Sequence, residues 1–106
     1  MADAYKTLYQ GQLPSTVATL ATVGGGKSWI VKHISIVNVT SGAVTFQLFR
    51  NGTTTAFAWT PAAISVPANG MAEWDGTEAM AATETIAGVA SAATSLTMTM
   101  SGDEVS

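Results

Sequence analysis

The chain has 106 residues, 47% of them hydrophobic and only 10% charged, with a net charge of −3 and no cysteine. That length holds one domain, 1–106. Without cysteine there is no disulfide or thiolate metal site, and four Lys and Arg residues are too few for a phosphate-neutralising stripe, which argues against nucleic-acid binding.

An ordinary soluble domain carries about 25% charged residues. Here Thr, Ser, Ala and Gly fill that space, which predicts a surface largely covered by partners, because interface cores shed charge and gain aromatic residues and Met. No run of about 18 apolar residues occurs, so no membrane span is expected. Met1 to Lys6 lacks the basic-then-apolar order of a secretory signal.

In chain order, Ala4 to Leu20 is polar-spaced and contains Pro14. It is expected to act as an N-terminal arm or edge strand within 1–20 that reaches a neighbour, with Tyr9 and Leu13 as candidate contacts. Ala21 to Ser28 fits a relaxed phosphate-loop pattern, yet Trp29-Ile30-Val31 follows as strand sequence where that loop needs a helix N-terminus. The segment therefore reads as a glycine-rich turn with Lys27 in solvent.

Ser28 to Val39 is rich in β-branched residues and reads as a long strand. Trp29 and Val31 fall out of phase with Ile34 and Ile36, which predicts a bulge or bend near Lys32 and His33 that carries the strand between two sheets; a strand buried on both faces fits the same pattern. His33, the one histidine, lacks a recognisable nucleophile and orienting acid and reads as a strand histidine satisfied by a hydrogen bond.

Val44, Phe46 and Leu48 alternate with Thr45, Gln47 and Phe49, a half-buried strand. The Asn51-Gly52 that follows predicts a two-residue hairpin pairing Ala43–Arg50 with Thr54–Trp59, with Phe57 and Trp59 on one face. Turns are expected at 24–26, 40–42, 51–52, 67–70, 75–76 and 91–93, a spacing that argues for a β-sandwich or barrel. The alanine-rich stretches Glu78–Thr85 and Ala87–Ala93 are too interrupted by Thr, Ile, Gly and Val to nucleate a helix.

Glu73 and Asp75 would share one strand face, and with Glu78 they read as a solvated acidic rim, too few oxygens for a Ca²⁺ site. Leu96, Met98 and Met100 alternate with Thr97, Thr99 and Ser101 in a last strand before a tail at 101–106, where Asp103 and Glu104 serve solubility or dock a basic neighbour. Two Asn-X-Thr triplets, at Asn38 and Asn51, read as chance matches. No catalytic, metal-binding or cofactor-binding set emerges, and an enzyme is not expected. Three tryptophans are many for so small a core. Trp59 is the leading candidate for a subunit interface, with Phe57, Trp74, Tyr9 and Leu13 beside it.

Several short motifs run through the whole chain. Thr7-Leu8-Tyr9-Gln10 opens it, Gly26-Lys27-Ser28 leads into a strand ending Ile34-Ser35-Ile36-Val37-Asn38, and Ala43 to Arg50 forms the next. Pro67-Ala68-Asn69-Gly70, Glu84-Thr85-Ile86-Ala87-Gly88-Val89-Ala90 and Ser101-Gly102-Asp103-Glu104 complete the series. This series resembles the small virion structural proteins of tailed bacteriophages, capsid decoration (cement) proteins among them.

The resemblance implies a single-domain antiparallel β-sandwich, jelly-roll-like, without catalytic residues or cofactors. It implies a homo-oligomer, commonly a trimer, placed on the major capsid protein or another virion protein after assembly in the bacterial host cytoplasm. A neck, tail or fibre-associated subunit is the alternative placement. A small glycan-binding module, stacking sugar on Trp59 or Trp74, is the alternative from another class.

Overall fold

Alternation along each strand decides which face it buries. In the computed structural model, which describes residues 3–60 and 64–105, eight strands form: β1 (Asp3–Gln12), β2 (Ala18–Thr22), β3 (Ser28–Asn38), β4 (Val44–Arg50), β5 (Ile64–Val66), β6 (Met71–Met80), β7 (Thr85–Ala90) and β8 (Leu96–Val105). Residues 1–2 of the expected arm and residue 106 of the expected tail lie outside the described residues, as does Pro61.

The antiparallel pairings nest. β1 pairs with β8, β2 with β7, β3 with β6 and β4 with β5, as in one long hairpin whose outer turn lies between β4 and β5. Rolling that hairpin adds two seams, β3 with β8 and β4 with β7. Two four-stranded sheets result, ordered β1-β8-β3-β6 and β2-β7-β4-β5. The protein is therefore an all-β antiparallel sandwich with jelly-roll strand order.

The core lies between the sheets. Leu96, Met98 and Met100 of β8, Ile34 and Ile36 of β3, and Val44, Phe46 and Leu48 of β4 all point inward and are buried. Thr97, Thr99 and Ser101 alternate outward, so the expected half-buried strands are present. The 78–85 and 87–93 stretches form strand and turn, with no helix.

The bulge expected near Lys32 is there, with the register shifting between Val31 and His33 against both neighbours. Its effect differs from the expectation. The extra residue restores phase, so Trp29, Val31, Ile34 and Ile36 all face the same core, and β3 stays in one sheet with a half-exposed outer face.

The Asn51-Gly52 hairpin is corrected. Asn51 does adopt positive φ (60°), but Thr55–Phe57 is a 3-10 turn and β4 pairs with β5 instead. Among the described residues an isolated bridge, Phe49 to Ala58, and the Trp59 N–H donating to the Leu48 carbonyl (2.8 Å) join the returning segment to β4. Thr60 completes that edge: its hydroxyl accepts from the Leu48 N–H (3.0 Å) and its own N–H donates to the Leu48 carbonyl (3.2 Å). A side chain that bonds to backbone competes with a regular ladder. Phe57 and Trp59 consequently share no strand.

Asp75-Gly76 is not a turn but lies inside β6. The expected tail is also strand, because Ser101–Val105 pairs with β1 on one side and β3 on the other. Gly102 makes this possible, since a Cβ there would stand 2.1 Å from the Ile30 carbonyl oxygen. Asp103 and Glu104 are taken up within the chain, by Lys32 (2.9 Å) and Lys6 (3.1 Å).

Asn38 also has an internal use. It is buried, its amide donates to the Gly42 and Val66 carbonyls, and its side-chain oxygen accepts from the Thr40 N–H and hydroxyl. It thus ties the β3–β4 loop to β5 and has no amide hydrogen to spare for a glycan.

Gly102→Ala is expected to lower unfolding stability by about 1–3 kcal/mol or more, the cost of forcing a group into packed backbone. Gly42→Ala, with nothing within 4 Å of the added carbon, should change it little. Urea denaturation of both variants checks the contrast.

Candidate functional site

Two of the five candidate contact residues come together. Trp74 points inward from the edge strand β6, and Trp59 lies on the segment beside β4. Their rings meet edge to face, centroids 5.4 Å apart at 73°, the geometry that sets the positive edge of one ring against the negative face of the other. Both are half-buried and pack on the core. Trp74 has room because residue 76 is glycine, where a Cβ would stand 2.8 Å from the indole.

The tryptophans border a cleft between the two sheets. Ile34 and Ile36 from β3 and Phe46 and Leu48 from β4 line it. Ala72, Glu73 and Thr60 join the tryptophans at its rim. Its volume is about 50 Å³. Apart from Glu73 and Thr60, its walls are hydrocarbon and aromatic.

The other candidates lie elsewhere. Tyr9 is on β1, the opposite edge of the sheet from β6, and packs inward. Phe57 stands in the 3-10 turn, 46% exposed. Leu13 is sealed in the core at 1% exposure and presents no surface to a partner. It reads as surface in sequence because it follows the polar Gln10-Gly11-Gln12, yet its N–H bonds the Leu96 carbonyl and draws the chain inward.

On the outer face beside the cleft, His33 sits between two carboxylates. Its Nδ1 is 2.6 Å from Asp75 and its Nε2 3.5 Å from Glu73. Glu73 and Asp75 do share that face, and their side chains are 52% and 78% exposed. Glu78 points the other way, to Arg50, with 2.9 Å between Glu78 Oε2 and Arg50 Nε in an ion pair without aligned hydrogen-bond geometry. Arg50 also donates to the Ala79 carbonyl (2.6 Å).

At the far end of the same sheet, Glu104 accepts from the Trp29 indole N–H (3.0 Å) and from Lys6 (3.1 Å), with Lys27 3.9 Å away. Lys27 is thus half-exposed in a turn beside a carboxylate, with no helix following it. Among the described residues no group of three or more His, Asp or Glu side chains is arranged to hold a metal ion, and no helix is long and apolar enough to cross a membrane. Sequence reasoning missed the cleft's lining and Thr60. Their signal was present only as the alternation Met71-Ala72-Glu73-Trp74-Asp75, which sets Ala72 and Trp74 inward and the acids outward.

No protein-family model, curated protein or solved structure matches this chain.

Hydrogen bonds from Trp29, then Lys6, hold the Glu104 carboxyl below the ordinary value of 4.5, against the opposing pull of burial. A carboxyl lowered in the folded state adds stability that is full above its unfolded value and is lost as pH falls through its folded one. Glu104→Gln should therefore destabilise the protein at neutral pH and lose less stability than the parent on acidification below about pH 5. Urea unfolding across that range reads both effects.

Proposed function

We propose that this chain is a non-enzymatic structural subunit of a tailed-phage particle, a decoration protein that stabilises the head by packing against the major capsid protein. The observation that carries the reading is the strand order. Two four-stranded sheets ordered β1-β8-β3-β6 and β2-β7-β4-β5 make an eight-stranded jelly roll, an architecture that recurs in capsid and lectin domains.

Three further features support it. Across β1, β8 and β3 the outer face of the first sheet carries uncharged side chains, Gln10, Thr99 and Ser35 in one row and Gln12, Thr97 and Val37 in the next, which can be covered without stranding charge; the first row reaches a carboxylate only at Glu73 on β6. An accessible surface of 5207 Å² is close to the roughly 5500 Å² of a folded 10.8 kDa monomer. The subunit thus closes its own core and meets partners through its surface. Finally, β1, β2 and β6, all edge strands, carry bulges or register shifts, and β5 has three residues. Such edges discourage strand addition, which favours burial of faces as the mode of contact.

The glycan-binding reading gains nothing from the tryptophans. They are turned edge to face against each other, whereas a sugar platform needs an open ring face. A subunit that binds the closed shell and not the loosened one shifts the equilibrium toward the intact particle, and many symmetric copies multiply a modest contact.

Quantitative mass spectrometry of the purified particle that carries this chain should find it in hundreds of copies. About a dozen or fewer would move it to the neck or tail, where symmetry is low-order. Its absence from the particle would end the reading.

A further inference from the structure

We infer that Asn51 is a site of spontaneous deamidation, and that the fold protects the chain's other Asn-Gly pair, Asn69-Gly70, from the same reaction. The inference stands apart from the particle reading.

The chemistry needs an asparagine amide and a movable backbone nitrogen directly after it. The Gly52 nitrogen gives up its proton to solvent base and attacks Asn51 Cγ. The side-chain nitrogen takes up a proton and leaves as ammonia, and a succinimide ring closes. Water then opens the ring at either carbonyl, giving aspartate or isoaspartate. Nothing is oxidised or reduced, and water is the only co-reactant. Glycine in the second position favours closure, since it has no Cβ in the way and its backbone is the least restricted.

The sequence does not separate the two pairs, and most of their local geometry does not either. Both asparagines are exposed, with positive φ of 60° at Asn51 and 53° at Asn69. Each donates its own N–H to a distant carbonyl, Asn51 to Thr85 (2.6 Å) and Asn69 to Thr40 (3.0 Å). Each glycine lies against a ring, Gly52 against Phe57 and Gly70 against Pro67.

The attacking nitrogen tells them apart. The Gly70 N–H donates to the Pro67 carbonyl (2.9 Å), and the Gly70 carbonyl accepts from the Asn38 N–H (2.9 Å). A hydrogen bond to the neutral form of a group opposes its ionisation, and turning this nitrogen toward Asn69 Cγ breaks the bond. Among the described residues the Gly52 N–H makes no hydrogen bond, so its proton and its position are both free to change. The third asparagine, Asn38, is buried, has its amide engaged by the Gly42 and Val66 carbonyls, and is followed by β-branched Val39.

Deamidation adds a negative charge to a chain of net charge −3, in the turn next to Arg50. As isoaspartate it also lengthens the backbone by a methylene group. That extra length enters just before the 3-10 turn Thr55–Phe57 and the segment that brings Trp59 and Thr60 back to β4.

The test is peptide mapping by mass spectrometry of the full-length protein aged in warm, mildly alkaline buffer, with a parallel sample unfolded in guanidinium chloride. In the folded protein Asn51 should convert at least about fivefold faster than Asn69, the effect of one net hydrogen bond on a rate, with isoaspartate among its products. In the unfolded sample the two rates should converge. Equal rates in the folded protein, faster conversion at Asn69, or an Asn51 that stays intact while it converts in denaturant would overturn the inference. So would a ratio equally large in denaturant, which would assign the difference to neighbours in sequence, or aspartate without isoaspartate at 51, the mark of direct hydrolysis.

Discussion

The whole structure depends on β8 lying between β1 and β3. Its inward residues Leu96, Met98 and Met100 are fully buried, and its backbone is bonded on both sides along nearly its entire length. The strand can enter that slot only because Gly102 lets it come against the Ile30 carbonyl. Since β1 waits for β8 and β2 waits for β7, the N-terminal strands have no local partner. Contacts between the two ends of a chain incur loop-closure entropy before they return any stability, so the closing of this sheet must come late in folding.

The bulges of this sheet belong together. Leu8 is the extra residue of β1 opposite Met100 and Ser101, Lys32 that of β3 opposite Ser101 and Gly102, and Gly76 and Thr77 lie opposite Lys32 on β6. They fall on one row across the four strands. A row of extra residues bends and twists every strand at the same level, and it resets alternation so that both halves of β3 face the core. Beyond the bend, Glu104 gathers Lys6, Lys27 and the Trp29 indole. Most of the few charges are used in pairs, and the acids with the most exposed side chains in those pairs, Glu73 and Asp75 of β6, flank His33 of β3.

The regular parts of this fold were legible from alternation alone. Val44-Phe46-Leu48 and Leu96-Met98-Met100 announced their strands and their buried faces, and the phase change after Val31 announced the bulge. Features set by partners distant in sequence were not legible. Asn51-Gly52 carries a strong local hairpin signal, but the Thr60 hydroxyl and the pairing of β4 with β5 widen the turn. The polar 101–105 segment looked like a tail because the carboxylates of Asp103 and Glu104 find their lysines only once β1 and β3 flank them. Leu13 looked exposed for the same reason. Of the candidate contacts, Trp59 and Trp74 stand 15 positions apart in sequence, and only the return of β6 against the β4 side of the sandwich brings their rings together.

That meeting also accounts for the cleft. On that side of the sandwich the two edge strands are β6 and β5, and they are unequal: β6 runs for ten residues while β5 has three. Beside β4, beyond its described pairing with β5, Trp59 and Thr60 face the Trp74 end of β6 across the space between the sheets. A T-shaped indole pair holds its rings apart at the angle that bridges such a gap without filling it. The cleft is therefore bounded by the indole pair on one side and by the core residues of β3 and β4 on the other. Thr60 stands at its border, where its hydroxyl takes the Leu48 N–H as a neighbouring strand's carbonyl would.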